Sequence, residues 1–172
     1  TLGRTMAAGK VILTEALGPD FPHDQVMAHW KQLMFADMEE NGIPLKPGAK
    51  ELLKALAFRG IPAALATSNN EGIVAHYLAL AGLEAAFAQV VCGDQVPRGK
   101  PAPDIYLAAA RALGVPPGAC MGVEDSPNGL KAVRGAGMVS VMVPDLLPFE
   151  PALAPYVDHC VPSLGDILPL IA

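Results

Sequence analysis

Apolar residues recur with two different spacings along the chain, and the change falls near residue 45. Up to about Asn41 they lie three or four residues apart, which places them on one face of a helix. The clearest set is Val26, Trp30, Leu33 and Met34, and a less regular set is Val11, Ala16 and Leu17. The loop GPDFPHD separates the two sets. This first part is therefore predicted to be two helices.

After NGIPLKPG, short apolar runs alternate with helical segments. The strand-like runs are IPAALA, AQVVC, ACMGV and VSVMVP. The helices between them carry start and stop signals: Pro47 as a first helical residue, Gly60 as a stop, a helix over Asp104–Leu113, and a helix start at Ser126-Pro127. Leu52, Leu53 and Leu56 are predicted to form the buried stripe of the first of these helices. Such alternation predicts an α/β fold with a mostly parallel sheet and helices on both faces.

Composition narrows the possible partners. The chain has 172 residues, 52% hydrophobic and 17% charged, which fits one folded domain, alone or with a small insertion, and argues against disorder. A net charge of -5 without any cluster of Lys and Arg argues against nucleic acid or an anionic membrane as a partner. No apolar run reaches membrane-spanning length and no signal peptide opens the chain, so a cytoplasmic location is expected.

Cysteine and histidine usage gives no sign of a disulfide framework or a zinc site. The three cysteines are widely spaced and form no CxxC pattern, and the four histidines show no metal-ligand spacing. We expect a reducing compartment, cysteines that behave as buried small hydrophobes, and histidines on helix surfaces or loops.

Three loops that follow predicted strands carry polar groups, and ligands of parallel sheets bind at that edge. In ATSNN, the side chains of Thr67, Ser68 and Asn69 stand between a strand and a helix N-terminus, a setting suited to an anion. The alternative is that Ser68 or Asn69 simply caps the helix. In RGKPAPD, Lys100 lies in a loop that prolines stiffen, which would hold a ligand-binding lysine in place. The alternative interpretation is that Lys100 is an ordinary solvated lysine.

The third loop, GVEDSPNG, gives the strongest signal. Glu124 and Asp125 are adjacent acids at a strand end, and like charges repel there unless a cation offsets them. Capping would account for Asp125 but not for Glu124. Two carboxylates suit a hard cation with oxygen ligands, Mg²⁺ above all, and both are expected to be partly buried. Together with Lys100 and a helix N-terminus, such a metal would bind a phosphate dianion and offset the charge of phosphoryl transfer.

The order ATSNN, GKPAPD, GVEDSPNG resembles the second, third and fourth motifs of the haloacid dehalogenase (HAD) superfamily, in its phosphatase and β-phosphoglucomutase-like branch. The resemblance covers nearly the whole chain. It implies a partial helical cap over residues 1–45 and a Rossmann-like, three-layer α/β core over residues 46–172. By this resemblance Thr67 binds phosphate with its hydroxyl, Lys100 holds the phosphate and the nucleophile, and Glu124 and Asp125 bind Mg²⁺. Arg4, in GRT, matches a position that contacts the substrate in some relatives.

One family feature is absent from the sequence. The first motif, a strand ending in Asp-x-Asp-Gly, supplies the nucleophile and the general acid/base, and no DxD occurs here. Asp94, Asp104 and Asp145 lie near the right edge, but none follows a strand in the required pattern. Because the missing strand is central in the family's sheet, we expect a gap in the middle of this sheet. We interpret the chain as lacking an N-terminal segment, or else as a degenerate relative.

The predicted function is Mg²⁺-dependent phosphatase-type hydrolysis of small phosphorylated metabolites, such as a sugar phosphate or a nucleotide-derived phosphate. Two alternatives stay open: a β-phosphoglucomutase-like phosphoryl transferase and a non-catalytic phosphate-binding relative. A bacterial receiver domain also combines acids, Thr and Lys, but there the acidic pair comes first and the lysine last. Here Thr67 precedes Lys100, and the acids come third.

Overall fold

The fold is known from a computed structural model that describes residues 6–171. Arg4 lies outside the described residues, so its proposed substrate contact stays a prediction. The helices are α1 Met6–Leu17, α2 His23–Asn41, α3 Ala49–Phe58, α4 Glu71–Ala81, α5 Asp104–Leu113 and α6 Pro127–Gly135. The strands are β1 Ala64–Thr67, β2 Gln89–Cys92, β3 Met121–Glu124, β4 Val139–Met142 and β5 His159–Cys160. Short 3₁₀ turns lie at Gly93–Gln95, Pro117–Ala119, Pro151–Tyr156 and Leu164–Leu170.

Local signals account for most helix ends. The Ser126 side chain accepts the Gly129 N–H at 3.2 Å and so caps α6 at the predicted place. The predicted start of α3 at Pro47 is wrong by two residues, because the backbone at Gly48 is left-handed (φ 81°). Gly48 is also packed so closely on Gly165 that a Cβ there would lie 2.2 Å from the Gly165 nitrogen.

The strands form two separate parallel sheets. One pairs β1 with β2, with Thr67 opposite Cys92, and the other has the order β3-β4-β5, with Glu124 opposite Met142. Between residues 6 and 171 no ladder joins β1 to β3. The chain is therefore an α/β protein whose parallel strands are divided into two groups, and the predicted gap in the sheet is confirmed.

An apolar cleft lies between the two sheets. It encloses about 460 Å³ and is lined by β1 and β3 together with side chains of α3 and α5. Leu65 and Ala66 belong to its β1 wall, and Met121 and Val123 to its β3 wall. Exposed strand edges are sites at which another strand can pair. The cleft is therefore a slot between two sheet edges.

Helices cover both faces of the strands. On one face α5 and α6 enclose a core that includes Val91, Ile105 and Val133. On the other face α3 and the C-terminal 3₁₀ turn pack on β4, with Leu52, Val141 and Ile167 buried between them. These two layers fix the strand ends, and with them the loops that follow the strands.

The predicted apolar face of α2 is largely exposed. Val26, Trp30 and Leu33 are 44%, 52% and 58% exposed, so sharing one helix face does not bury them. Instead Phe35 lies against α4, with its ring 5.8 Å from that of His76. Helical spacing determines which residues share a face, but a face is buried only where another element covers it.

Burial also corrects the expectations for cysteine and histidine. Cys92 is buried as predicted, whereas Cys120 is partly exposed and Cys160 is exposed on the two-residue strand β5. His23 is 6% exposed rather than on the surface, and its Nδ1 lies 3.1 Å from Asp24 Oδ1. No helix within residues 6–171 combines the length and the apolar character needed to cross a membrane.

Candidate active site

A pocket of about 250 Å³ opens at the carboxyl ends of β1 and β3. Parallel strands bring these ends to one edge, so loops distant in sequence meet there. The lining residues are Ser68, Lys100, Glu124, Asp125, Ser126, Asn128, Asp145, Leu146 and Leu147. Four of the residues predicted from sequence, Ser68, Lys100, Glu124 and Asp125, are thus brought together. Thr67, the last residue of β1, and Asn69, in the loop with Ser68, are not among the lining residues.

The loop after β1 is held against the turn after β2. The Gly93 N–H donates to the Asn69 carbonyl at 2.9 Å, and a Cβ on Gly93 would lie 2.5 Å from the Ser68 carbonyl oxygen. Asn70, rather than Ser68 or Asn69, caps α4, since its side chain accepts the Ile73 N–H at 3.0 Å. The capping interpretation of Ser68 and Asn69 is therefore wrong.

Lys100 is part of a buried ion pair. Its Nζ contacts Glu124 Oε1 and donates to the Ala66 carbonyl at 3.3 Å. The side chains of Lys100 and Glu124 are only 13% and 7% exposed. The interpretation of Lys100 as a solvated loop lysine is therefore wrong, and its ammonium is fixed at the pocket wall.

Tyr106 is a site residue that the sequence analysis missed. Its hydroxyl donates to Glu124 Oε1, and Lys100 Nζ lies 5.0 Å from the centroid of its ring. Burial, followed by the charge of the Glu124 carboxylate, raises the pKa of Tyr106, so the phenol stays neutral and keeps its proton to donate. The available signal was a lone hydroxyl on the apolar face of α5, which it shares with Ala109 and Ala110.

The two adjacent acids have different surroundings. The second oxygen of Glu124, Oε2, accepts the Asp125 N–H at 3.3 Å and the Ser126 hydroxyl at 3.2 Å. Both oxygens of Glu124 are therefore engaged within the protein. The side chain of Asp125 is 43% exposed and lines the pocket. Glu124 is thus held by Lys100 and its own loop, whereas the Asp125 carboxylate is open to the pocket; the Mg²⁺ role assigned to both acids stays a prediction.

Asp145 lines the acidic side of the pocket and Lys46 contacts its two acids; neither residue was assigned a role from the sequence. Lys46 Nζ lies 2.9 Å from Asp145 Oδ2 and 3.6 Å from Asp125 Oδ2. Lys46 comes from the connection between α2 and α3, and Asp145 from the loop after β4. Each of the adjacent acids thus has its own lysine, which explains how two like charges are tolerated in one turn.

The polar groups here suit a hard cation. The side chains at this end of the pocket, Asp125, Ser126, Asn128 and Asp145, offer oxygen donors and neither thiolate nor imidazole. Mg²⁺ is commonly held by one or two carboxylates, with water and substrate phosphate as the other ligands. In the described part of the chain no cluster of three or more His, Cys, Asp or Glu side chains could hold a metal. The two carboxylates of Asp125 and Asp145 are of the ligand type that Mg²⁺ accepts, and Mg²⁺ binding here stays a prediction.

Gly129 makes room for Glu124, and this yields a prediction about stability. A Cβ at Gly129 would lie 2.0 Å from the Glu124 carboxyl carbon. We expect Gly129→Ala to lower the free energy of unfolding by about 1–3 kcal/mol through overpacking. The matched control is Gly72→Ala in α4, where the nearest side-chain atom is 3.8 Å from the added Cβ. The control is expected to be neutral or stabilising. Urea denaturation of both variants measures the difference, and equal stability would show that Glu124 can move aside at no cost.

Known proteins resemble this chain in sequence over much of its length. A model of the haloacid dehalogenase-like hydrolase family matches residues 3–137. The probable pseudouridine-5′-phosphatase of Drosophila melanogaster is 47% identical over 110 residues, which cover 59% of this chain and 46% of that protein. The chain spans about half the length of the first curated relatives that it matches.

Solved structures share the fold over most of the chain. A HAD hydrolase of family IA from Entamoeba histolytica matches with a TM-score of 0.80 and 26% identity, covering 96% of this chain and 76% of that one. CbbY of Rhodobacter sphaeroides, solved in complex with phosphate, matches with a TM-score of 0.71 and 30% identity. That match covers 86% of this chain and 67% of CbbY.

Proposed function

Because this chain belongs to the haloacid dehalogenase-like hydrolase family, we propose that it acts as a Mg²⁺-dependent phosphatase for small phosphorylated metabolites. One observation carries the proposal: a single small pocket combines the fixed ammonium of Lys100, the ligand-facing carboxylate of Asp125 and the hydroxyl of Ser68. A cation, an acid that can hold a metal and a helix N-terminus are the groups that bind a phosphate dianion.

Each residue has a role that follows from its contacts. Lys100 balances phosphate charge from a position fixed by Glu124 and Tyr106. Thr67 Oγ1 accepts the Asn69 N–H at 3.2 Å, which leaves the hydroxyl hydrogen of Thr67 to donate to a phosphate oxygen. Asp125, with Asp145 nearby, would hold Mg²⁺. When bound, that ion would supply positive charge to the phosphoryl oxygens.

The substrate class is a sugar phosphate or a nucleotide-derived phosphate. A pocket of about 250 Å³ suits a phosphate with a small organic group, and Leu146 and Leu147 give it an apolar wall. The named activity of the Drosophila relative and the phosphate in the CbbY complex support this class. The mutase and the non-catalytic binder remain alternatives, which a panel of phosphomonoesters and hexose phosphates separates.

We propose that the nucleophile is none of the carboxylates already in the pocket. Glu124 is held by Lys100, and Asp125 and Asp145 are assigned to the metal. We propose that an extended strand occupies the cleft between β1 and β3 and brings a carboxylate to its carboxyl end, beside Lys100. The 172-residue chain by itself is then expected to bind phosphate without hydrolysing phosphate esters.

Ion-dependent phosphate binding tests the proposed site. We expect the chain to bind inorganic phosphate more tightly with Mg²⁺ than without it, because the metal adds positive charge. Asp125→Asn should reduce the gain in phosphate affinity that Mg²⁺ causes by at least about tenfold. This is the range expected for loss of a charge-assisted contact. Asp20→Asn, in the exposed loop before α2, is the control. Isothermal titration measures the phosphate affinity of both variants with and without Mg²⁺. If Asp125→Asn keeps the full effect of Mg²⁺, Asp125 is not a metal ligand.

A further inference from the structure

Lys46 reaches two acids of the pocket from the segment that joins α2 to α3. It lies in the connection between α2 and α3, and its ammonium faces two carboxylates, Asp145 at 2.9 Å and Asp125 at 3.6 Å. The side chains of Asp145 and Asp125 are 48% and 43% exposed, so solvent and small ions can reach these carboxylates, whereas the Lys46 ammonium itself is buried against them. Lys46 thus lies where an ion bound by these acids would be.

The backbone around Lys46 is fixed to the core. The Pro47 carbonyl accepts the Leu164 N–H at 3.1 Å, and the Lys46 carbonyl accepts the Ala49 N–H at 3.1 Å. Gly48 lies against Gly165 without room for a Cβ. An ordinary surface lysine is tethered only by its own helix or loop, whereas this one starts from an anchored turn. A change in its position therefore has to come from rotation of the side chain.

We propose that Lys46 is a tethered cation that competes with a divalent ion for Asp125, so that ion binding displaces its ammonium toward Asp145. The inference rests on the metal site of the proposed function and deepens it. Lys46 has a closer partner in Asp145 than in Asp125, and so can release Asp125 without losing all compensation. The two acids and Lys46 together carry one net negative charge. Without Lys46 the two acids carry two negative charges, and they attract a divalent cation more strongly.

This arrangement makes the affinity for the ion depend on a residue that is not a ligand. Without an ion, Lys46 offsets the repulsion between two carboxylates that face the same pocket. With an ion bound, the ion takes over that role for Asp125. Lys46 therefore lowers divalent-ion affinity and keeps the site ordered when no ion is bound.

Divalent-ion titration of the 172-residue chain tests the competition. We expect Lys46→Met to bind Mg²⁺ about two- to fivefold more tightly than the unchanged chain, the range that a partly exposed ion pair represents. Lys46→Arg keeps the charge and should stay within about 1.5-fold of the unchanged chain. Lys50→Met, on the exposed side of α3, is the matched control and should leave the affinity unchanged. Circular dichroism checks that the variants are folded.

Amine acetylation read by mass spectrometry gives a second, independent measurement. Saturating Mg²⁺ should raise the acetylation rate of Lys46 relative to Lys50, because the displaced ammonium is more accessible. Equal or weaker ion binding by Lys46→Met, with Asp125→Asn still abolishing binding, overturns the role of Lys46 and leaves the proposed metal site intact. Absence of ion binding in every variant overturns both.

Discussion

A strand-forming peptide that ends in acidic residues is expected to give the chain, which we expect to be inactive by itself, phosphatase activity. The peptide would carry four or five apolar residues followed by Asp-x-Asp-Gly. Inserted between β1 and β3, it would pair with two parallel edges and bury its apolar side chains against Leu65 and Val123. Its carboxyl end would then lie at the pocket, where a carboxylate could attack phosphorus beside Lys100.

Three measurements separate structural from chemical complementation. The peptide should raise the melting temperature, slow hydrogen exchange of the β1 and β3 amides, and produce Mg²⁺-dependent hydrolysis of an aryl phosphate. The same peptide with both Asp residues replaced by Asn should stabilise the chain without producing turnover. If the chain alone hydrolyses the ester, and Asp94→Asn or Asp145→Asn removes the activity, then the nucleophile lies within the 172 residues and the proposal fails.

Lys100→Met is expected to lower turnover of the complemented protein by on the order of 10²-fold or more, because a fixed charge that stabilises the transferring phosphoryl group is lost. Lys100→Arg should rescue little, since a planar guanidinium does not replace a compact ammonium that is 13% exposed. Lys54→Met, on the exposed side of α3, is the control for loss of one positive charge. If Lys100→Met has a turnover close to that of the unchanged protein, Lys100 takes no part in the reaction.

Loss of stability must be separated from loss of chemistry in this experiment. Lys100→Met leaves the buried Glu124 carboxylate without its cation, which is expected to cost about 3 kcal/mol of folding free energy. Adding Glu124→Gln removes the uncompensated charge, so the double variant should regain much of the stability. It should not regain turnover. Urea denaturation and steady-state kinetics on the same samples distinguish the two effects.

Local sequence signals were sufficient for the order of the elements. The helix over Asp104–Leu113 and the start of α6 after Ser126 lie where capping and periodicity place them. The gap between β1 and β3 also followed from the sequence, through the absence of one motif from an otherwise complete order of motifs. These features depend on residues close in sequence, or on the order of motifs along the chain, and both can be read without coordinates.

Contacts between distant segments required the tertiary structure. The two donors to Glu124 Oε1, Lys100 and Tyr106, lie 24 and 18 residues away from it, and Lys46 is farther still from Asp125. The sequence placed Glu124 and Asp125 side by side and predicted one role for both. Folding buried the first against a lysine and a tyrosine, and left the second open to the pocket. Trp30 is exposed for the same reason. Periodicity defines the face of a helix on which a residue lies, whereas burial depends on what packs against that face.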